Sequence, residues 1–598
     1  MKRIILLALV LTSFFCYSQN FDSLKILLID FDEGKTFANP DNSQNIGYEY
    51  NFIKAFNALG FSEDSNLVVK EKIPESFDLI KDYAAIFFIT GHRPYVGVDL
   101  TVANITNFES YLDSGGCLYI EGNNAPSGIY DKDSLFMFNY FNNSCTDNGG
   151  TGFSGIDTIV SDTTDTLDPF FRFYKFVYPA NTKPDSSVDV IGPKNPNLLK
   201  VNYRNLLQYD DQTKLYKSTS SSYTPPETKT FYFPGKTVMQ SVAFSAFADP
   251  QNAQDALDDS LENQLIRAAY LRDILKYFGI GKTLLVKDDG EVALSDKKII
   301  ESLDKLGVEF DEISVKTGGA GPNYKTLVKY ANVIWYTGKD STLSLLAADT
   351  FALSRYLDFG GDLLLSGENL AQGIGVPDTN TLLNENRFLS MKMRVDYIGN
   401  PFKAPEGFNA NVDGHFYANL GSRICSLETV TTSKPDMLRP FLIGHVDSAF
   451  YFYTLSKGNN IVGIANEGIL RKTIFCGFSI ENLYQRDLDS VLEVSFVDYF
   501  DMNLDFEPRK WDDATSDSKR DSGKMFVKTN ENSPKVFCVQ RTLFVEGLSK
   551  PELLDVSGRN LINLESGYNK LTSDIKSGVY FVRGEYRGSF YVKVIAVF

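Results

Sequence analysis

The residues able to do chemistry fall into a few sets, and each set is short of something. A thiol or hydroxyl nucleophile needs a base within reach, most often an imidazole. His92, His415 and His445 are the three histidines in 598 residues, too few to build a histidine-rich metal or acid–base centre. Cys117, Cys145, Cys425, Cys476 and Cys538 follow a first cysteine, Cys16, and none forms a CxxC pair. Their odd number and wide spacing indicate neither a disulfide framework nor a zinc site. Cys117 and Cys476 lie in the apolar runs CLYI and TIFCGF, where buried free thiols are expected. No GxGxxG or GxxxxGKS/T stands at a strand–helix junction to cradle a phosphate. The expectation is no metal and no cofactor.

The remaining candidates are polar residues at the ends of strand-like runs. In the first part of the chain they are Asp30, His92, Glu121 and Asn123, with Asp32, Gly91 and Asn124 beside them. In the second they are Asp288, Glu368 and Asn369, with Asp289, Gly338 and Ser366. Ser366 is a weak catalytic candidate, because a Ser-His hydrolase would use such a hydroxyl, but its context is Leu364-Leu365-Ser366-Gly367-Glu368 rather than G-x-S-x-G. A carboxylate pair could cleave a glycosidic bond, yet 76 acidic residues make such pairs easy to find. The tips Asp30-Phe31-Asp32-Glu33 and Lys287-Asp288-Asp289-Gly290 offer oxygen ligands of the kind calcium takes. Neither matches a DxDxDG loop, and solvated turns and helix caps are the expectation for them.

The elements that must position these residues occur twice. KILLID (25–30) is answered by KTLLVKD (282–288), FIKAFNALGF (52–61) by IIESLDKLGV (299–308), and YAAIFFITGH (83–92) by YANVIWYTGK (330–339). YLDSGGCLYIEGNN (111–124) is answered by YLDFGGDLLLSGEN (356–369), and VMQSVAFSAF (238–247) by TIFCGFSIEN (473–482). Runs of Ile, Leu and Val without alternation predict strands buried on both faces. Phe52, Ile53, Phe56 and Leu59 have helical spacing, stopped at Gly60. Alternating strands and helices predict a mostly parallel sheet covered on both faces. The fold class is α/β, with two tandem flavodoxin-like three-layer α/β/α domains over 22–281 and 282–505. The stretches 134–236 and 382–470 read as further strands and β excursions, whose aromatics could stack on sugar rings.

The repeated unit resembles the class I glutamine amidotransferase-like superfamily, and more closely its ThuA-like branch. The TG after the third strand, the YLDxGG helix end and the turn into Gly122 or Gly367 carry that resemblance. It implies a cysteine nucleophile at the strand–helix elbow. The elbows read IEGNN and LSGEN and hold none, so the expected halves are degenerate and non-catalytic.

The ends of the chain speak of destination. Met1–Ser18 combines Lys2 and Arg3 with an apolar run from Ile4 to Phe15 and a small–x–small site, which predicts a secretory signal too short to span a membrane. A Ser/Asp-rich linker covers 506–534, and 535–598 alternates short strand runs with Ser-Gly and Arg-Gly turns, a small antiparallel β-sandwich pattern. DVSGR (555–559), SGVYFVR (577–583) and KVIAV (593–597) resemble the C-terminal sorting domain of type IX secretion cargo. That resemblance implies roles for Gly558, Arg559, Gly578 and Lys593, the type IX secretion machinery as a partner, and delivery to the medium or outer-membrane surface of a Gram-negative, Bacteroidetes-type bacterium. A formal charge of −17 argues against nucleic acid as a partner. An extracellular glycan or protein ligand is the expected partner of a binding or structural module, with a secreted glycan or peptide hydrolase as the alternative.

Overall fold

The computed structural model describes residues 24–91, 100–147, 158–161, 175–177, 188–193, 203–210, 216–223, 235–248, 263–290, 292, 295–338, 345–374, 388–400, 407–410, 424–426, 435–441, 446–453, 460–467, 471–502, 535–539, 542–546, 549–554, 559–565, 567–571, 575, 578–586 and 589–597. Residues 1–510 form one compact unit and 511–598 another.

The first unit opens on β1 (Ile26–Asp30), buried over all but its last residue. Helix α1 (Glu49–Ala58) buries Phe52, Ala55 and Phe56, and the chain leaves it through Gly60 at φ 92°, a left-handed conformation that costs glycine little. Then come β2 (Leu67–Lys70), β3 (Ala85–Ile89), α2 (Val102–Asp113), β4 (Cys117–Glu121), α3 (Ala125–Lys132), β5 (Thr237–Gln240) and α4 (Asn263–Tyr277). The second half repeats them as β6 (Thr283–Lys287), α5 (Lys297–Leu306), β7 (Phe310–Ser314), β8 (Asn332–Tyr336), α6 (Ala347–Asp358), β9 (Asp362–Ser366), α7 (Leu370–Ile374), β10 (Lys472–Cys476) and α8 (Gln485–Glu493).

Two mixed sheets result. Their parallel cores are ordered β2-β1-β3-β4-β5 and β7-β6-β8-β9-β10. The expectation of mostly parallel sheets needs correction. Beyond β5 the first sheet continues antiparallel through 216–223, 203–210, 158–161 and 175–177, and beyond β10 the second continues through 461–467, 446–453, 407–410 and 424–426. Antiparallel neighbours need no crossover helix between them. The registers agree between halves, Ile26–Ala85–Cys117 against Thr283–Asn332–Asp362. Thr237 pairs with Leu118 and Thr473 with Leu363. Thr237 therefore answers Thr473, one residue away from the sequence alignment of Val238 with Thr473. With a side-chain period of two, that slip would have exchanged the faces.

The repeated motifs are contacts. The ring of Tyr111 lies so close to Gly116 that a β-carbon there would fall 2.3 Å from it, and Tyr356 stands likewise 2.0 Å from Gly361. The tyrosine hydroxyls donate to Tyr83 O (2.9 Å) and Ala331 O (3.0 Å), so YLDxGG folds the helix end against the start of the neighbouring strand. At the other end, a β-carbon on Gly122 would stand 1.8 Å from Thr90 Oγ1, and one on Gly367 1.9 Å from Thr337 Oγ1. The TG after the third strand and the glycine after the fourth are thus two sides of one interlock.

Helix α4 joins the halves. An unbroken run from Ile266 to Leu275 is buried, and one apolar core extends from β1, β3 and α1 through α4 to α6 and β9. Arg272 Nη1 donates to Val328 O (2.8 Å), its Nη2 to Asp273 and Phe359 O, and its guanidinium lies over the Tyr356 ring. Lys276 Nζ bonds Asp362 Oδ1 at 2.9 Å. Apart from Asp273, which lies on α4 itself, these partners belong to the second half and add acceptors to the buried charges.

The second unit consists of two antiparallel sheets, 535–539/542–546/567–570 and 560–563/549–554/578–586/589–597. Gly578 pairs with Val597 and Lys593 with Val582. Arg559 is exposed, and Gly558 lies outside the described residues.

Gly367→Ala should destabilise the chain by about 1–3 kcal/mol through overpacking. Thr337→Ala in the same chain should restore part of the loss. Chemical denaturation of the single and double variants measures both, and additive losses would contradict the interlock.

Candidate functional site

The strand ends align in two rows, Asp30–Ile89–Glu121–Gln240 and Lys287–Tyr336–Ser366–Cys476. Glu121, 0% exposed, is the centre of the first row. Tyr119 Oη donates to Glu121 Oε2, Gln240 Nε2 donates to the same oxygen at 3.1 Å, and Tyr270 Oη donates to Gln240 Oε1 at 2.9 Å. Glu121 Oε1 has no partner, and burial pushes the carboxyl up to about 8. This is a sealed core network rather than an open cleft.

Ser366, at the same place in the second row, is equally committed. Its Oγ donates to Phe478 O (2.8 Å) and accepts from Ile480 N (3.0 Å), with the side chain fully buried. It ties β9 to the chain beyond β10. His92, His415 and His445 lie outside the described residues.

Past each row the chain turns the elbow. Asn123 N donates to Gly91 O and Glu368 N to Gly338 O, both at 3.0 Å. Gly91 and Gly338 have φ 56° and 64°. Asn369 follows at φ 56°, a left-handed bend that asparagine tolerates, and its Oδ1 accepts from Asn400 Nδ2 at 3.4 Å. Asn124 caps α3 at φ −120°. Both elbows therefore present an amide, which is no nucleophile.

Two residues absent from the sequence-derived set sit beneath the elbows. Asp189 Oδ2 accepts from Ser127 N in the first turn of α3 (2.7 Å), and Asp436 Oδ2 accepts from Ala371 N in α7 (2.6 Å). Each is 0% exposed. A carboxylate is favoured at a helix N-terminus, but burial outweighs that here and raises Asp189 to about 6 and Asp436 to about 7. These side chains take backbone N–H groups that could otherwise stabilise an oxyanion. The sequence held a signal for them: DVIGP (189–193) and DMLRP (436–440) are a sixth matching pair of blocks.

The other candidates are divided. Asp30, Asp32 and Glu49 bring carboxylate oxygens within 4.8 Å of one another. Burial, then Asp32 and Glu49, raise Asp30 to about 8. Asp288 accepts from Trp335 Nε1 (3.1 Å), while Asp289 accepts from the Ser295 hydroxyl and Val292 N. Glu368 accepts from Asn482 Nδ2 (3.4 Å). Glu481, which sequence reading passed over, is raised to about 7 by burial and by Glu368 and Asp289, and its Oε2 is buried without a partner. Cys117 and Cys476 are buried and outside any disulfide, as their apolar runs indicate, and Cys425 is buried as well. A cavity of about 460 Å³ opens beside the edge strand β7, lined by Val315, Lys316, Gly319, Gly321, Pro322 and Thr326 among others, and none of the strand-end candidates borders it.

No family model matches the chain, and no curated protein matches it. Among solved structures, a ThuA-like protein from Bacteroides uniformis aligns at 13% identity over 36% of this chain and 91% of its own, with a TM-score of 0.25. A β-galactosidase from Bacillus circulans aligns at 12% identity over 51% and 43%, TM-score 0.26, and an exo-β-1,4-mannosidase from an Opitutaceae bacterium at 9% over 41% and 40%, TM-score 0.23. This chain thus spans less than half of either glycosidase, and likenesses of that size carry no argument about activity.

Asp30, Glu121, Asp189, Asp436 and Glu481 all hold their protons more tightly folded than unfolded. Their contribution to stability is complete below the ordinary values of 3.8 and 4.5 and is lost as pH rises through about 6 to 8. The melting temperature should accordingly fall between pH 5 and pH 8.5, and Glu121→Gln should flatten that fall. A melting temperature that climbs over this range would contradict the assignment.

Proposed function

We propose that this chain is an exported protein of a Gram-negative, Bacteroidetes-type bacterium, delivered by type IX secretion. Its two flavodoxin-like, amidotransferase-like halves serve as a non-catalytic extracellular binding or structural module for a glycan or protein ligand. The observation that carries the non-catalytic reading is Asn369 at the second elbow, held in the left-handed bend where an acyl-transfer nucleophile would stand. Asn124 stands at the matching place in the first half. Ser366, the remaining hydroxyl, is spent on Phe478 and Ile480. Both core sheets have the order second-first-third-fourth-fifth, which supports the flavodoxin-like layout. The two antiparallel sheets of 535–597 support a terminal β-sandwich compatible with sorting.

One observation favours the alternative of a secreted hydrolase. Glu481 and Glu368 are two interacting carboxyl groups at the carboxyl ends of the second sheet, with Glu481 raised to about 7, the range suited to a general acid.

The purified chain, screened against glycan and peptide substrates, should turn over none of them. Turnover that disappears in Glu481→Gln and survives in Ser366→Ala would establish the hydrolase instead. In cells, deleting 551–598 should leave the protein in the periplasm, and undiminished appearance in the medium would refute the sorting assignment.

A further inference from the structure

Each sheet has an edge strand on the same side, β2 in the first half and β7 in the second. The two edges answer each other, Leu67 standing beside Ile26 and Phe310 beside Thr283, yet they are finished differently. On β7, Glu309 O accepts from Thr283 N (3.1 Å) and Val315 N donates to Lys287 O (2.7 Å). The odd-numbered residues thus turn their backbone groups to β6, and by the alternation of a strand Phe310, Glu312 and Ser314 turn theirs outward. Among the described residues no strand pairs with that outer row. On β2 the outward N–H of Leu67, the counterpart of Phe310, is taken by Ser62 O at 2.8 Å.

The loops that follow differ as well. From Leu67 to Tyr83 the first half takes 16 residues, and from Phe310 to Tyr330 the second takes 20. The shorter loop sends Ile73 and Phe77 onto the core. The longer one carries Gly318, Gly319 and Gly321, and over 316–323 it holds no apolar side chain larger than proline. Gly321 is pressed onto Trp335, where a β-carbon would fall 2.3 Å from the ring, and its N–H donates to Asp349 Oδ1 at 2.7 Å. Between this loop and the carboxyl end of β7 lies the cavity of about 460 Å³, walled by Ile313, Val315, Gly319, Ala320 and Pro322, with the exposed Lys316 also lining it.

We propose that β7 and this cavity form a docking site for an extended peptide segment of another protein. The segment adds a strand to the free edge, sets an apolar side chain in the cavity and carries Lys or Arg beside Glu312. In such a mode backbone pairing supplies affinity and the pocket beside the strand selects the sequence. Charge selects the occupant. Glu312 is exposed and stands near Asp296 and Lys287, and Lys287 Nζ is already 3.3 Å from Asp296 Oδ1. Lys282 Nζ serves Asp311 at 3.0 Å and Glu309 at 3.8 Å. Even with Lys316 included, these carboxylates outnumber the ammonium groups, so a basic segment is favoured. A second copy of this chain, pairing through a two-fold axis, would set this acidic edge against itself. The proposal rests on the reading of the chain as a binding module and narrows its ligand to a peptide.

The test offers the full chain a displayed library of random linear peptides of about ten residues and measures the selected peptides by fluorescence anisotropy. They should share an aliphatic or aromatic residue with neighbouring Lys or Arg and bind with Kd of about 10⁻⁴ M or tighter. Glu312→Pro removes an outward N–H without breaking a bond to β6, and should weaken them at least about tenfold. Ala320→Trp, which fills the cavity from the loop, should do the same and serves if Glu312→Pro does not fold. Peptides that bind both variants as they bind the parent would overturn this site and leave the binding-module reading standing. A chain that selects no peptide but binds a glycan array would do likewise, and one that binds neither would remove that reading as well. A dimer in sedimentation that Glu312→Pro dissolves would give the edge to a second copy and overturn the proposal.

Discussion

The hydroxyl of Thr90 occupies the space that a β-carbon on Gly122 would need, and the hydroxyl of Thr337 does the same at Gly367. This contact draws the turn after the third strand onto the turn after the fourth, at the end of the sheet where open α/β folds place their ligands. The backbone bonds that follow are the same in both halves, Thr90 N to Glu121 O and Thr337 N to Ser366 O, then Asn123 N to Gly91 O and Glu368 N to Gly338 O. With those atoms fixed, the elbow has one shape, and chemistry depends on which side chains are placed upon it. Here they are amides, a buried serine and buried carboxyl groups.

The two halves keep separate sheets but not separate cores. Helix α4 ends the first half and is packed on both sides, by α1 of its own half and by the α6 region of the next. Its arginines survive burial because each finds carbonyl and carboxylate oxygens: Arg267 with Phe247 O and Asp41, Arg272 with Val328 O, Phe359 O and Asp273. Removing any partner would strand a buried charge, which is far more costly than losing a surface pair. The halves are therefore expected to unfold together.

Duplication also shows where selection for packing ends and individual chemistry begins. Glu121 and Ser366 share one position and serve different networks. Asp30 and Lys287 share another, an acid in one half and a base in the other. Asp189 and Asp436 share a third and do the same work under both elbows. A pair that keeps its residue type marks what the fold requires, and a pair that changes marks what each half does on its own.

The sequence by itself determined the strands, the helix ends and the repeat, because these rest on local properties: unbroken Ile/Leu/Val runs, glycine at left-handed positions, and motifs whose partners recur at fixed spacing. β2 lies at Leu67–Lys70 as its residues indicate, and β3 and β4 fall within one residue of their apolar runs. Only the tertiary structure decided what lies far apart in the chain. It placed Asp189 under a helix 62 residues earlier, turned the long excursions into antiparallel extensions of the same sheets, set the register at Thr237 and Thr473, and buried α4 together with its Arg267, Arg272 and Asp273. It also joined Glu49 to Asp30 and Asp32. Pattern along a chain reports which face a residue prefers, whereas partners across a sheet or a helix joint depend on which pairing buries the most surface while leaving the fewest charges alone.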